Sequence, residues 1–403
     1  MVMIDAQLEL LDVRELGELT RMAAHALAAR DSSEVLVQLA ACLADLGLAM
    51  GQAASLGGSG GQSWDWTGVD HASARPATSP PNLLTMHAIT EAEPGPQWQE
   101  LFATVWPGYR SWYLSEGESA RPDLQTCQRM LQRHMPELVP TWHRLVDLAG
   151  GDQLAARMLT QWDPPRFLPG CSQAVLTAPR PALLRNYDYS LDLFERVVYS
   201  SAFTGRRVLG TGDCLWGLLD GMNDAGLAVS LAFGGRSGSA PGFGVPLVLR
   251  YLLEVATCTE HATGLLRDLP VSMAYNLTMV DRAGQAVTAF VAPGQRPELS
   301  DLAAATNHRG RTPEHPEHAH RFRSVERQDL LLRLLEERVG VAELGDRLLE
   351  SPLHSTDFAH AFGTLYTAVY QPADGTVEYL WPGDRWRRTF SSPTATKIVT
   401  LAE

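Results

Sequence analysis

The sequence predicts an α+β layered domain, and three observations lead to that prediction. From residue 170 onward, short apolar or alternating runs are joined by turn residues, which is typical of antiparallel β-hairpins. Stretches with apolar residues at three- and four-residue spacing, typical of helices, separate these hairpins. The chain before residue 165 has mainly the helical spacing. Hairpins that alternate with helices pack as layers of sheet and helix.

Each predicted element after residue 170 rests on a short stretch. The hairpins are SQAVLTAPRPALLRNYDY, NLTMVDRAGQAVTAFVAP and FGTLYTAVYQPADGTVEYLWPG, and GLAVSLAFGG is a further strand. The turn from Asp281 to Gly284 has Asp first and Gly fourth, as a type I turn prefers, and Asp374-Gly375 closes the last hairpin. Helices are expected in VPLVLRYLLEVATCTEHATGLLRDL and RQDLLLRLLEERVG.

The first 170 residues have a different composition. DSSEVLVQLAACLADLGL and DLQTCQRMLQRHMPELVPTWHRLVDLA are predicted helices, and Pro136 and Pro140 break the second into pieces. Residues 51–82, rich in Gly, Ser and Pro, predict a flexible linker. We therefore expect a helical N-terminal segment, residues 1–170, and a β-rich region, residues 171–403.

Composition excludes several classes of function. The net charge of −13 disfavours nucleic-acid binding, which needs clustered Lys and Arg. No signal peptide and no membrane span are evident, so no membrane partner is expected. The five cysteines are widely spaced and form no CxxC pair, which argues against disulfides and a structural zinc site. Free thiols suit a reducing cytoplasm, the expected location.

One of these cysteines stands at the junction of the two regions, in FLPGCSQAVL. A buried and inert Cys171 is the ordinary interpretation. Alternatively, the chain is cut between Gly170 and Cys171, which would place a free α-amine on the residue that carries the thiol. An α-amine with a pKa of about 7.7–8.0 is a suitable general base near neutral pH, so one residue would supply nucleophile and base.

Polar residues that could complete such a site follow at the ends of predicted strands. A catalytic thiolate needs charges that orient the amine and thiol, and donors for the oxyanion of the tetrahedral intermediate. The candidates are Arg185 and Asp188 in RNYDY, Asn223 in GMNDAGLAV, Asn307 in ATNHRG and Arg327 in FRSVERQD.

The order of these motifs resembles the cysteine N-terminal nucleophile (Ntn) hydrolases, specifically the acyl-coenzyme A:6-aminopenicillanic acid acyltransferase family. Penicillin V acylases and choloylglycine hydrolases are more distant relatives. The resemblance rests on seven motifs in order, from Gly170-Cys171-Ser172 to the closing GTLYTAVYQPADGTVEYLWPG, and it covers residues 171 to about 385. It implies a four-layer αββα sandwich in which residues 171–403 are the catalytic chain.

The resemblance also implies roles for the candidates. Cys171 is similar to the family's nucleophile, exposed by cleavage after Gly170. Asp188 resembles the carboxylate that holds the new α-amine, and Arg185 the cation beside the thiolate. Asn307 is similar to the residue that donates its side-chain amide to the oxyanion, and Asn223 to a second donor through its backbone N–H. Arg327 resembles the arginine that organises this network.

Alternatives remain open for several of these residues. Arg185 and Asp188 could form a structural ion pair, and Asn223 could be a turn residue. An uncut cysteine hydrolase could use His308 as its base, and a non-catalytic binding protein could share the fold. The stretch NHRGRTPEHPEHAHRFR contains four histidines but lacks a helical or strand period, so a mobile loop rather than a metal site is expected.

The resemblance implies hydrolysis or transfer of the acyl group of a C–N amide bond through a thioester on Cys171. The expected partner is a small N-acyl amide or an acyl thioester, with no cofactor except a coenzyme A thioester as an alternative acyl donor. The two chains of the cut precursor are expected to stay associated, and a homo-oligomer is left open. Phe233, Phe243 and Val245 predict a pocket for an apolar acyl group, with residues 234–244 as a lid.

Overall fold

A computed structural model of the chain describes residues 83–166, 170–236, 238–360 and 362–401. The predicted linker over residues 51–82 and the predicted helix DSSEVLVQLAACLADLGL lie outside the described residues. The strands are β1 Leu83–Thr90, β2 Gly170–Leu176, β3 Ala182–Tyr189, β4 Val197–Ser201, β5 Val208–Asp213, β6 Gly217–Asn223, β7 Leu227–Phe233, β8 Tyr275–Asp281, β9 Ala286–Val291, β10 Glu298–Ser300, β11 Ala304–Ala305, β12 Thr356–Asp357, β13 Phe362–Gln371, β14 Thr376–Trp381, β15 Asp384–Thr389 and β16 Ala395–Thr400. The helices are α1 Pro96–Tyr113, α2 Leu124–His134, α3 Val139–Leu148, α4 Gln153–Leu159, α5 Val245–Val255, α6 Thr259–Leu266, α7 Pro316–Arg321, α8 Ser324–Glu336 and α9 Val341–Arg347.

The strands form two sheets. The first has nine strands in the order β10-β9-β8-β7-β6-β5-β4-β1-β16, and only the β1–β4 pair in it is parallel. The second has seven strands, with β11-β2-β3-β13-β14-β15 in order and β12 paired to β13. The predicted hairpins are confirmed as β2–β3, β8–β9 and β13–β14. Most neighbours in each sheet are therefore local in sequence, which is why hairpin motifs could predict them.

The two sheets pack face to face, with β2 and β3 of one against β7 and β8 of the other. Helix α5 covers the outer face of the nine-stranded sheet at β5, β6 and β7. Helices α8 and α9 cover the outer face of the seven-stranded sheet through a leucine-rich cluster that includes Leu331, Leu344 and Leu380. The order helix, sheet, sheet, helix confirms the α+β layered architecture that was expected.

The interface between the sheets carries polar residues as well as apolar ones. Gln173 of β2 donates from Nε2 to the carbonyl oxygen of Asn276 in β8, at 3.0 Å, and its Oε1 accepts from the Ser230 hydroxyl in β7. Arg185 of β3 donates from Nε to the carbonyl oxygen of Leu231 in β7, at 3.1 Å. Because all these groups are buried, they must be paired, and their pairing fixes how one sheet lies on the other.

Two elements differ from the expectations. Residues 83–90 were expected to belong to a mainly helical part of the chain, but they form β1. This strand pairs with β4 and also with β16, which lies near the end of the sequence. Local periodicity cannot report such distant partners. The histidine-rich stretch contains the short helix α7 and buries His308 and His318, so the expectation of a mobile loop is wrong there.

Within the described residues, no helix has the length and apolar character that crossing a membrane requires. The residues from Leu83 onward belong to one compact unit. Residues 83–166 and the region after residue 170 share that unit.

Candidate active site

Cys171 is the second residue of β2 and lies at the interface between the sheets. Its side chain is fully buried, and its Sγ accepts a hydrogen bond from Arg185 Nη2 at 3.2 Å. Burial raises the pKa of the Cys171 thiol, and the Arg185 guanidinium opposes this shift. A thiolate formed here would therefore meet a positive charge that is already in place.

Arg185 is held by partners from both sheets. Its Nη1 donates to the Asp220 carboxylate of β6 and to the Tyr366 hydroxyl of β13, the latter at 2.8 Å. The Tyr187 ring stacks on the guanidinium at 4.7 Å. Strand pairing places Arg185 opposite Gln173 and Tyr187 opposite Cys171, which brings the guanidinium to the thiol. Among the described residues Arg185 pairs with Asp220 and Asp188 pairs with Arg327, so the alternative of an Arg185–Asp188 ion pair is not observed.

Arg327 of α8 binds several groups around the nucleophile. Its Nη1 donates to the Cys171 carbonyl oxygen at 2.7 Å, to the Ser172 hydroxyl at 2.7 Å and to the Asp188 carboxylate at 3.2 Å. Its Nη2 donates to Asn307 Oδ1 at 2.8 Å. Arg327 therefore lies at the centre of the predicted set and fixes the orientation of three of its members.

Asn307 follows β11 and contacts the backbone of the nucleophile. Its Oδ1 accepts from the Cys171 N–H at 3.1 Å, and its Nδ2 donates to the Phe233 carbonyl oxygen at 3.1 Å. Because Oδ1 also accepts from Arg327, the two ends of the amide are distinguished: oxygen toward Cys171 N, nitrogen toward β7. The Ser324 hydroxyl, at the start of α8, holds the Asn307 N–H at 2.9 Å.

Asp188 lies opposite Gly170 in the β2–β3 pair. Its carboxylate accepts from the Thr364 hydroxyl at 2.7 Å and from Arg327. Burial raises the pKa of Asp188, while Arg327 and the Thr364 hydroxyl oppose the rise. The carboxylate is thus fixed beside the bond that precedes Cys171.

Gly170 occupies a position where a side chain would collide with its surroundings. A Cβ there would lie 2.5 Å from the Phe362 ring and 3.2 Å from the Asp188 Cβ. The absence of a side chain lets Phe362 pack over the backbone just before the nucleophile.

Asn223 is not brought to Cys171 by any contact among the described residues. Its Nδ2 donates to the carbonyl oxygens of Leu253 and Ala256 at the end of α5, at 2.9 and 2.8 Å. Its Oδ1 accepts from the Leu227 N–H at 3.0 Å. The side chain ties the β6–β7 turn to α5, which matches the turn-residue alternative.

His308 is an unsuitable base for an uncut hydrolase. Its Nδ1 lies 2.7 Å from the Ser324 hydroxyl and its Nε2 3.1 Å from Gln328 Oε1, so both ring nitrogens have partners other than Cys171. Burial lowers the pKa of His308. Among the described residues, no group of His, Cys, Asp and Glu is arranged to hold a metal ion.

The residues expected to line an acyl pocket separate into two sets. Phe233 ends β7, where its carbonyl oxygen meets Asn307, and its ring packs on His318 with centroids 5.3 Å apart. Phe243 packs instead on Trp162 with centroids 4.9 Å apart, and Val245 is buried at the start of α5. Only Phe233 is therefore tied by a contact to the group around Cys171.

Sequence reasoning missed Asp220, Tyr366 and Thr364. Asp220 directly precedes the Gly221-Met222-Asn223 motif and is a charged residue in an apolar strand, a signal that could have found it. Tyr366 and Thr364 lie in the closing hairpin motif, but they face the site only because β13 pairs with β3.

The arrangement can support acyl transfer. The Cys171 thiol faces the Arg185 guanidinium, and the Cys171 N–H faces Asn307 Oδ1. The Asp188 carboxylate and Arg327 flank the bond between Gly170 and Cys171. Those are the components that a nucleophile carrying its own α-amine requires.

Comparisons with known proteins found similar solved structures and one matching family model. Solved structures similar to the chain include a mutant of the conjugated bile acid hydrolase from Clostridium perfringens, at 13% identity over 58% of this chain and 97% of that chain with a TM-score of 0.35. Penicillin V acylase from Agrobacterium tumefaciens is similar at 11% identity over 57% of this chain and 91% of that chain, with a TM-score of 0.35. A Caenorhabditis elegans ortholog of N-acylethanolamine-hydrolyzing acid amidase is similar at 15% identity over 51% of this chain and 93% of that chain, with a TM-score of 0.37.

No curated protein matches the chain. A sequence model described as acyl-coenzyme A:6-aminopenicillanic acid acyl-transferase matches residues 176–386, just over half of the chain. The matched range begins five residues after Cys171 and contains Arg185, Asp188, Asn307 and Arg327. The chain belongs to the acyl-coenzyme A:6-aminopenicillanic acid acyl-transferase family.

Proposed function

We propose that the protein is a self-processing cysteine Ntn enzyme that cleaves or transfers the acyl group of a C–N amide bond through a thioester on Cys171. The observation that carries this proposal is the setting of Cys171. Arg185 faces its thiol and Asn307 Oδ1 faces its backbone nitrogen, which supports roles for the thiol as nucleophile and for the nitrogen as base.

Activation begins with the bond between Gly170 and Cys171. The Cys171 thiolate attacks the Gly170 carbonyl carbon, the C–S bond forms, the C–N bond breaks and the nitrogen takes up a proton. Water then hydrolyses this thioester, which leaves a carboxylate on Gly170 and a free thiol and α-amine on Cys171. Gly170 supports this step because a glycine carbonyl is open to attack and tolerates a strained approach.

Turnover uses the new α-amine as the base. It takes the thiol proton, the thiolate attacks the acyl carbonyl of the substrate, and the resulting ammonium protonates the leaving amine. Arg185 stabilises the thiolate, Asp188 and Asn307 Oδ1 hold the amine, and the Asn307 side-chain amide donates to the oxyanion. Arg327 fixes Asn307 and Asp188 in position.

The second half-reaction decides the product. Water attacking the thioester yields a free acid, whereas another amine or thiol yields a transferred acyl group. A coenzyme A thioester is an alternative acyl donor, because its acyl carbonyl would be attacked by the same thiolate. We propose small N-acyl amides or acyl thioesters as substrates, with Phe233 beside the acyl group, and a cytoplasmic enzyme.

The intact mass of the purified protein tests the proposal. We expect two chains, residues 1–170 and 171–403, from the unsubstituted protein and one uncut chain from Cys171→Ala, because the substitution removes the attacking thiol. Cys127→Ala is the matched control, since it removes a buried thiol on α2 outside the site and should leave both cleavage and turnover in place. An unsubstituted protein that stays in one chain yet turns over N-acyl amides would contradict the mechanism.

A further inference from the structure

A cavity of about 330 Å³ lies next to the candidate active site, at the lower end of the size range of ligand pockets. Its walls are mostly aromatic or apolar and include Tyr109 and Trp112 of α1, Tyr189 at the end of β3, and Phe194. The cavity is one aromatic layer away from the nucleophile. The Phe194 ring packs 5.6 Å from the rings of Tyr187 and Tyr366, the two aromatic residues that contact Arg185.

Two buried carboxyl groups end in this cavity. Glu195 Oε2 and Asp213 Oδ1 each lie 2.7 Å from the Tyr109 hydroxyl. That hydroxyl has one hydrogen to donate, and it also accepts from the Cys214 N–H at 2.8 Å. Only one of the two carboxyl contacts can therefore use the tyrosine proton, and the short contact of the other carboxyl group with the hydroxyl favours a protonated carboxyl there.

The second carboxylate oxygen of Glu195 lacks a hydrogen-bond donor among the described residues. This oxygen, Oε1, is buried, and only 9% of the residue is exposed. A buried carboxylate oxygen without a donor is costly. Glu195 lines the cavity, so a ligand that brings an N–H group there would supply a donor to this carboxyl group.

The backbone that surrounds the carboxyl groups is itself unusual. Cys214 and Leu215 have φ angles of 55° and 72°, a left-handed conformation that non-glycine residues seldom adopt. This conformation directs the Cys214 N–H to Asp213, at 2.7 Å, and the Leu215 N–H to Glu195, at 2.8 Å. Strained backbone of this kind persists where the surrounding structure enforces it, commonly at ligand sites.

The charge of the cavity favours a cation. Of the described residues that line it, Asp192, Glu195 and Asp213 are acidic and none is basic. Burial, and then the neighbouring Asp213, raises the pKa of Glu195 to about 7, and burial raises that of Asp213 to about 6. Below these pH values the pair holds protons, whereas at pH 8 both groups are mostly ionised and can pair with a cation.

We propose that this cavity is a subsite for a protonated amine, carried by the substrate or by the acyl acceptor, with Glu195 and Asp213 as its anionic partners. This inference rests on the proposed function, because it identifies the class of molecule that would be presented to Cys171. The aromatic walls would hold the apolar part of that molecule, and the ammonium would donate to the carboxyl groups of Glu195 and Asp213.

The test is calorimetric binding of 2-phenylethylammonium and of its neutral counterpart 2-phenylethanol to Cys171→Ala protein at pH 8. We expect the ammonium to bind at least about tenfold more tightly than the alcohol, and Glu195→Gln to remove most of that preference. Glu100→Gln is the matched control, because it removes the same charge from an exposed position on α1 and should change the affinity by less than about twofold.

A second measurement keeps the proposal falsifiable if Glu195→Gln does not fold. Lowering the pH from 8 to 5 protonates Glu195 and Asp213 while the probe stays charged, so its affinity should fall in protein that retains Glu195. The titratable and charged groups around the pair are Tyr109, Cys214, Asp192, Tyr187, Tyr189, Tyr199 and Tyr275, with Arg185 behind Tyr187. Equal affinity for ammonium and alcohol at pH 8, or no change with pH, would overturn the proposal. Because the binding assay uses protein without the thiol, its outcome is independent of whether Cys171 is the nucleophile.

Discussion

Asn307 and Asn223 carry the same side chain, and their surroundings give them different functions. Asn307 contacts the nitrogen of Cys171, whereas Asn223 is bonded to α5. Asn307→Ala should lower kcat by about 100- to 1000-fold, because it would remove the proposed donor to the oxyanion. The measurement is steady-state kinetics normalised to the processed fraction, which intact mass gives. A kcat within a few-fold of the unsubstituted enzyme would remove Asn307 from the mechanism.

Asn223→Ala should act on stability instead. The substitution leaves two buried carbonyl oxygens, those of Leu253 and Ala256, without the amide that now binds them. We expect the free energy of unfolding to fall by about 1–3 kcal/mol, measured by urea denaturation. Unchanged stability would show that water or a shifted donor replaces the amide.

Glu195 makes stability depend on pH with a defined sign. Its pKa is about 7 in the folded protein, raised first by burial, against 4.5 for the free side chain. The folded state therefore binds more protons between those values, and the contribution of Glu195 to stability falls as the pH rises from about 4.5 to 7. When both proteins are moved from pH 5 to pH 8, the free energy of unfolding of the Cys171→Ala, Glu195→Gln protein should rise by about 2 kcal/mol relative to that of the Cys171→Ala protein. Urea denaturation at the two pH values checks this, and a difference that does not change with pH would contradict the shift.

The residues of the site were predictable to the extent that they lie in motifs near strand ends. Cys171, Arg185, Asp188, Asn307 and Arg327 are joined in the structure by direct hydrogen bonds. Asp220 was not predicted, because its contact with Arg185 crosses from one sheet to the other. The role of Asn223 also depends on contacts between distant elements. Its sequence setting fits both an oxyanion donor and a turn residue, and its bonds to α5 distinguish the two.

At the scale of elements, Asp220 links three strands. Asp220 lies in β6 of the nine-stranded sheet, and its partners lie in the other sheet. Its carboxylate accepts from Arg185 of β3 and from the hydroxyls of Tyr366 and Tyr370 in β13, at 2.5 Å for each hydroxyl. Asp220→Asn should destabilise the protein by about 3–5 kcal/mol, because it leaves a buried guanidinium without its anion. Asp224→Asn is the matched control in the same segment, where a partly exposed pairing with Arg206 and Arg207 predicts a loss below about 1 kcal/mol. Similar losses for both, measured by urea denaturation, would contradict the link between the sheets.

Elements with local partners were predicted and those with distant partners were not. The β8–β9 hairpin follows from its own turn, in which the Gly284 N–H donates to the Asp281 carbonyl oxygen and Gly284 has a φ of 81°. In contrast, β1 pairs with β16, more than 300 residues away, and its sequence LLTMHAIT contains no turn motif that would predict a hairpin. The strand β1 can therefore be identified only from its pairing with β4 and β16 in the folded sheet.

At the scale of the whole molecule, β1 would decide whether the two chains of the proposed processed enzyme can separate. It belongs to the chain before Gly170, yet it lies between β4 and β16, both of which belong to the chain after it. Trp98 of α1 adds a buried hydrogen bond from Nε1 to the Leu215 carbonyl oxygen, at 2.9 Å.

Removing the first chain would therefore break two rows of strand hydrogen bonds and expose apolar core, at a cost that native conditions do not supply. We expect chains 1–170 and 171–403 to elute together in size-exclusion chromatography without denaturant, and to separate in guanidinium chloride. The uncut Cys171→Ala protein provides the reference elution volume, which the processed enzyme should match. Two separate peaks in native buffer would mean that β1 is not held in the sheet once the bond before Cys171 is cut.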